Sequence, residues 1–191
     1  MKKEIKRMEK ELKFKVENLE KLEEKLKQMG VKTAGKKFEK NTLFDFEDHS
    51  LKNQDKLLRI RTINGEEKGK ITFKGPQVGS LFKEREEEET KIEDAKAMQK
   101  ILAGLGYAAE FIYEKQRTSY KINEATELKV ELDLLPILGS FVEIEGKNEE
   151  EMVKLANELG LQMEDAINQS YPQLAEEYFT AQGMERQNLI F

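Results

Sequence analysis

No cysteine occurs in the 191 residues. That removes disulfides, thiol nucleophiles and thiolate-held metals together, and it fits a reducing, intracellular setting. No apolar run approaches the length of a membrane span. The opening MKKEIKRMEK also lacks the apolar stretch of an export signal. A basic excess is missing too: 33 Lys and Arg stand against 38 Asp and Glu, a net charge of -5, which argues against a general nucleic-acid binder. No Pro/Ser-rich tract separates one part of the chain from another, and the length suits one domain, or one domain with a small extension. The single histidine, His49 in FEDHSLKNQ, reads as a loop residue at the surface. Together these absences predict a soluble, cytoplasmic protein with neither a membrane nor a nucleic-acid partner.

What the chain has in abundance is charge: 37% of residues against 38% hydrophobic, unusually ionic for a chain that can still bury a core. Four stretches carry helical periodicity. Leu19, Leu22, Leu26 and Met29 lead to Gly30; Ala97, Ile101 and Leu105 follow Asp94; Met152, Leu155, Ala156 and Leu159 run from Asn148 to Gly160; and QLAEEYFTAQG follows Pro172. The apolar stripes of these helices are expected in the core. The remainder reads as strands: MEKELKFKVE at the start, then LLRIRTI, GKITFKG, SLFKEREEEET, IYEKQRTSYKI, TELKVELDLL and SFVEIEGK. Asn64-Gly65 between the second and third marks a hairpin. The reading is α+β, with six to eight mostly antiparallel strands and helices packed outside.

Successive side chains on a strand point to opposite faces, and here the charges keep to one parity. Glu9, Glu11 and Lys13 alternate with Leu12 and Phe14. Arg59 and Arg61 oppose Leu58 and Ile60, and Lys74 opposes Phe73. Lys115 pairs in parity with Arg117, Glu131 with Asp133, Glu143 with Glu145, and Lys83, Arg85, Glu87 and Glu89 share one face. For any single strand a solvated outer face accounts for this. Taken jointly the pairs are segregated by sign, and like charges two positions apart repel unless something of opposite sign lies between them. A polyanion would satisfy Arg59, Arg61, Lys74, Arg85, Lys115 and Arg117. Divalent cations would satisfy Glu9, Glu11, Asp133, Glu143 and Glu145. A polyphosphate bound with magnesium or manganese answers both halves, since hard cations take carboxylate and phosphate oxygens together.

These residues resemble a known family. EKELK matches the ExExK signature of the CYTH superfamily, the triphosphate tunnel metalloenzymes, which include class IV adenylate cyclases and thiamine triphosphatases. The likeness continues in order through NTLFDFED, LLRIRT, ITFKGP, KEREEEE, YEKQRTSY and VELDLLPILGSFVEIEG, and the last two segments look closest to the class IV cyclase-like members. The resemblance implies an eight-stranded antiparallel β-barrel forming a tunnel, with helices outside and charged side chains within. It implies one domain over residues 1–181 and a C-terminal tail over 182–191. It assigns Glu9, Glu11, Asp133, Glu143 and Glu145 to magnesium or manganese. Lys13, Arg59, Arg61, Lys74, Arg85, Lys115 and Arg117 go to the triphosphate, with Glu9, Glu11, Lys13 and Lys115 as catalytic residues. Glu87 corresponds to the family's R-x-E strand, with Glu86 and Glu88 as alternatives. The family's plug helix can carry a basic residue, and here only Arg186 in the tail offers one; Tyr171 is the other candidate for a closing contact. The resemblance implies an enzyme that converts ATP to cyclic AMP and pyrophosphate. The alternatives are hydrolysis of inorganic, thiamine or nucleoside triphosphates, and non-catalytic binding of a polyphosphate or nucleotide. Monomer and homodimer are both open.

Overall fold

Alternation between charged and apolar residues forces a choice of which face each strand turns inward, and the protein turns the charged one in. The computed structural model describes residues 8–78 and 82–191. Its strands are β1 (Met8–Val16), β2 (Thr33–Asp45), β3 (Leu57–Ile63), β4 (Gly69–Lys74), β5 (Lys83–Ile92), β6 (Ala108–Asn123), β7 (Leu128–Leu135) and β8 (Gly139–Glu145). They close into an antiparallel barrel in the order β1-β5-β4-β3-β2-β6-β7-β8. The helices are α1 (Leu19–Gln28), α2 (Ser50–Asn53), α3 (Ala95–Gly104), α4 (Glu149–Glu158) and α5 (Tyr171–Ala181). The expected barrel with external helices is the observed fold. None of the helices is long and apolar enough to cross a membrane among the described residues.

The apolar parity packs outward, under the helices. Leu12 and Phe14 of β1, Val130 and Leu132 of β7, and Val142 and Ile144 of β8 are buried against Leu22 and Leu26 of α1 and Met152, Leu155 and Ala156 of α4. At about 25 cal/mol per Å2 of apolar surface removed from water, such a layer supplies the main drive for folding. A smaller cluster seats α3 on Phe44, Ile60 and Ile92 through Ala95 and Leu102. Here the sequence reading is corrected: Ile101 and Leu105 are exposed, and the buried face of α3 runs through positions 95, 98 and 102. Two apolar stripes compete on this short helix, and the anchoring of its start just after Ile92 selects the one toward the sheet.

Helix ends follow local chemistry. The Asp94 and Asn148 side chains accept from the backbone N–H groups of Ala97 and of Glu150 and Glu151, which are orphan donors at a helix start. Asn64 and Gly65 both take positive φ (52° and 75°), the central positions of a turn that Glu66 N closes by donating to Ile63 O at 3.0 Å, within the loop from β3 to β4.

β2, which the alternation did not single out, is the longest strand but one and sits between β3 and β6. β6 is longer than its neighbour β7, which pairs with it only from Gln116 to Asn123. Part of the exposed edge is taken by the C-terminal segment. Leu189, fully buried, bridges Tyr113, with Glu114 N donating to Leu189 O at 2.8 Å and Leu189 N to Ile112 O at 3.0 Å. The same end of the barrel is filled by α5. Tyr171, Ala175 and Phe179 pack on Phe111, Tyr113 and Phe141, which share the inward parity of the charges.

Candidate active site

Register brings the inward charges together. Glu11 of β1 lies opposite Glu145 of β8, and Lys13 opposite Glu143. Glu143 faces Glu131 of β7, Arg117 of β6 faces Asp133, and Glu39 of β2 faces Lys115. On the other wall Lys74 pairs with Glu87 and Lys83 with Glu11. The result is a cavity of about 490 Å3 inside the barrel, within the size range of small-molecule sites.

Lys13, Arg59, Arg61, Lys74, Arg85, Lys115 and Arg117 all line it, together with Glu11, Glu143 and Glu145. Ligand oxygens of those three buried carboxylates lie within 4.8 Å of one another. The oxygen-only donor set and its compactness fit a hard divalent cation. The Glu9 side chain lies outside the described residues. Asp133 is not in that group. Its two oxygens accept from Lys115 Nζ (2.9 Å), Arg117 Nε (2.6 Å) and the Tyr171 hydroxyl (2.7 Å), so it is occupied in holding the basic wall. Of the acid run, Glu87 is buried in the tunnel and 2.9 Å from Lys74, whereas Glu88 is exposed.

Each cation is held differently. Lys13 lies 3.3 Å from Glu11 and 3.1 Å from Glu143, with its ammonium 4.3 Å above the Tyr171 ring. Arg117 bridges Asp133 and Glu143. Arg61 Nε donates to Asn41 Oδ1 at 3.0 Å and lies 3.4 Å from Glu39. Arg85 turns to the wall, donating to the Asp55 carboxylate and to the carbonyls of Asp55 and Gly75. Arg59 stands apart. It is buried, its only hydrogen bond among the described residues is a 3.5 Å contact to the Tyr113 hydroxyl, and its Nε has none. A buried guanidinium with an unused donor is costly unless an anion completes it.

The electrostatics agree. Burial would raise the Tyr113 phenol, yet Arg59, Lys115 and Arg61 draw it below its ordinary value, so this wall carries net positive potential. Across the cavity, burial also opposes ionisation of Glu143, but Lys13 and Arg117 outweigh it and hold the carboxyl well below the usual range. Burial, helped by Lys13 and Lys74 against Glu11, pushes Lys83 down to about 8.

Sequence reasoning passed over Glu39 and Asn41, both buried in the β2 wall. It noted Lys83 without giving it a role. Glu39 has no like-charged neighbour at i±2, so the sign-pairing that exposed the other strands was silent there.

A closed eight-stranded barrel whose interior opposes a carboxylate cluster to a wall of lysines and arginines defines the class, and the chain belongs to the CYTH domain family, which matches residues 7–171. Among its relatives is MJ0240 of Methanocaldococcus jannaschii, which bears the name of a candidate adenylate cyclase. It is 33% identical over 87% of this chain and 98% of its own length. The solved structure of PH1012 from Pyrococcus horikoshii is 30% identical with a TM-score of 0.73, covering 85% of this chain and 96% of that one. HpAC1 of Hippeastrum, described as a candidate adenylyl cyclase with a dominant triphosphatase activity, shares the fold. Its TM-score is 0.67 at 17% identity, over 93% and 96% of the two chains.

Proposed function

We infer that the protein is a metal-dependent enzyme acting on a triphosphate held in the barrel, and that it converts ATP to cyclic AMP and pyrophosphate in the manner of class IV adenylate cyclases. The observation that carries the anion half is Arg59, buried with an unsatisfied Nε beside the Tyr113 phenol, whose pKa the surrounding cations draw down. The relative named for a candidate adenylate cyclase supports the choice of ATP.

In this reading Arg59 and Arg61 on β3, Lys115 and Arg117 on β6, Lys74 and Lys13 grip the phosphate oxygens. Asn41 fixes Arg61 in advance, and Asp133, itself held by the Tyr171 hydroxyl, fixes Lys115 and Arg117, so little reorganisation of these three accompanies the reaction. Glu11, Glu143 and Glu145 would hold magnesium or manganese. A divalent ion held there would neutralise phosphate charge and polarise the reacting phosphorus. The ribose 3′-oxygen bonds to the α-phosphorus, the bond from that phosphorus to the β-bridging oxygen breaks, and the hydroxyl proton is lost to water.

A second reading is hydrolysis of inorganic, thiamine or nucleoside triphosphate. It rests on the fact that the basic wall alone can grip a triphosphate. Turnover of ATP, inorganic triphosphate and thiamine triphosphate, each with magnesium and with manganese, separates the two. Cyclic AMP with equimolar pyrophosphate is the expected product. Orthophosphate without cyclic AMP would make the protein a triphosphatase, and no turnover with retained triphosphate binding would make it a sensor.

A further inference from the structure

The cavity does not end where the charges end. Along the inward stripes of β2, β3 and β6 the residues change character toward the α5 end. Glu39 and Asn41 give way to Leu43, Arg61 and Arg59 to Leu57, and Arg117 and Lys115 to Tyr113 and Phe111. Leu43, Leu57 and Phe111 line the same continuous cavity as the cations. Asp45 ends the β2 stripe here, but its carboxylate is taken up by the backbone N–H groups of Phe46, Leu51 and Lys52, so Leu43, Leu57 and Phe111 offer apolar surface for which an inorganic triphosphate has no use.

One more residue joins this end, and it comes from the tail. Arg186 lines the cavity, its guanidinium 4.6 Å from the centre of the Phe111 ring. Its one ion pair among the described residues is a long 3.8 Å contact to the half-exposed Glu176. It is brought there by a segment fixed to the β6 edge. Besides the Leu189 bridge, the Asn188 side chain accepts from Ile112 N at 2.8 Å, and Phe191 N donates to Glu114 at 3.0 Å. The purely structural account, an arginine covering a phenylalanine, explains the stack. It does not explain why the stack forms the wall of the cavity beside two inward leucines.

We propose that Arg186, stacked on Phe111 beside Leu43 and Leu57, is a specificity-determining residue that forms a subsite for the aromatic base of a nucleoside triphosphate. A guanidinium is planar, weakly hydrated and stacks on aromatic faces, so it suits a flat neutral ring. Its charge disfavours a cationic ring such as thiazolium, which ranks thiamine triphosphate below ATP. The inference rests on the triphosphate reading above and narrows it to nucleotides.

The test compares kcat/KM for ATP with that for inorganic triphosphate in the full-length chain and in Arg186→Ala, Arg186→Lys and Leu57→Gln, each checked for an intact unfolding transition. The ATP-to-triphosphate ratio falls about tenfold in Arg186→Ala, as expected for loss of a desolvated cation–π contact. It falls in Arg186→Lys as well, because the charge is kept while the plane is lost. Leu57→Gln lowers the same ratio without touching the tail. An unchanged ratio in Arg186→Ala, or a wild-type ratio in Arg186→Lys, overturns the proposal, since Arg186 would then be structural or a phosphate contact. Should the unmutated protein cyclise ATP and leave inorganic triphosphate untouched, or turn over neither, which ends the catalytic reading, the ratio of dissociation constants for ATP and inorganic triphosphate, by calorimetry with magnesium, decides the subsite on the same terms.

Discussion

Asp133 and Glu143 are both buried acids in the same tunnel, and their surroundings divide them. Asp133 accepts from two cations and a phenol, while Glu143 shares its space with Glu11 and Glu145. Glu143→Gln and Glu145→Gln are therefore expected to lower turnover by about a hundredfold or more, since they remove pre-organised charge at the reacting centre, while triphosphate binding, measured by calorimetry, survives. Asp133→Asn leaves Lys115 and Arg117 buried without their carboxylate. It is expected to cost about 3 kcal/mol in urea unfolding, a larger loss than that of Glu145→Gln, whose carboxylate pairs with the half-exposed Lys129. Glu39 gives a pH signature. Burial opposes its ionisation, but Arg61, Lys115 and Arg117 hold its folded pKa below the ordinary 4.5. Its stabilisation is therefore complete above pH 4.5 and is lost as pH falls below that value. Glu39→Gln is expected to flatten the decline in the urea midpoint on the acid side of pH 4.5, at the expense of stability at neutral pH.

At the scale of the element, α5 acts through one side chain. The Tyr171 ring lies 4.3 Å from Lys13 Nζ and 5.0 Å from Lys115 Nζ, while its hydroxyl donates to Asp133. Asp133 and Arg117 make opposite demands on that phenol. Burial, Asp133 and Glu143 prevail and hold its pKa well above the ordinary value, so it remains a donor at any working pH. Tyr171→Phe keeps the ring and removes the donor. It is expected to cost about 1–2 kcal/mol, a fall in Tm of roughly 2–8 °C for a chain of this size. The elements also show what could be read from the chain. Strands β1 and β3 to β8 announce themselves by charges that keep to one parity, because the inward side chains of a strand fall on alternate positions. β2 escapes that logic. Its inward set includes Glu39, Asn41, Leu43 and Asp45, and its outward set includes Phe38 and Phe44 beside Lys40, so neither face has a consistent character. The phase of α3 was equally hidden, since Ile101 and Leu105 compete with Met98 and Leu102 and only the tertiary contact decides. Contacts across register, such as Arg85 turning to Asp55, have no sequence signature at all.

At the scale of the molecule, an interior this rich in partly satisfied charge makes the ligand part of the stability. A triphosphate with magnesium at a hundred times its dissociation constant is expected to add about 2.7 kcal/mol, raising Tm by roughly 5–10 °C. The shift should be lost in the Arg59→Ala variant, as measured by thermal unfolding with and without inorganic triphosphate.

Closure of the barrel sets the order in which that interior can exist. β1 is the first strand to be made, but its partner β8 lies about 130 residues further on, and the pairing of Glu11 with Glu145 waits for it. Such distant pairings are the slow ones in folding. Until they form, Glu11 is a carboxylate on an open strand, and Glu143 and Glu145 are a pair without a third. The trio therefore comes into being only when the β1–β8 seam closes, and on the proposed role of these carboxylates a divalent ion would find its three ligands together only from that point on.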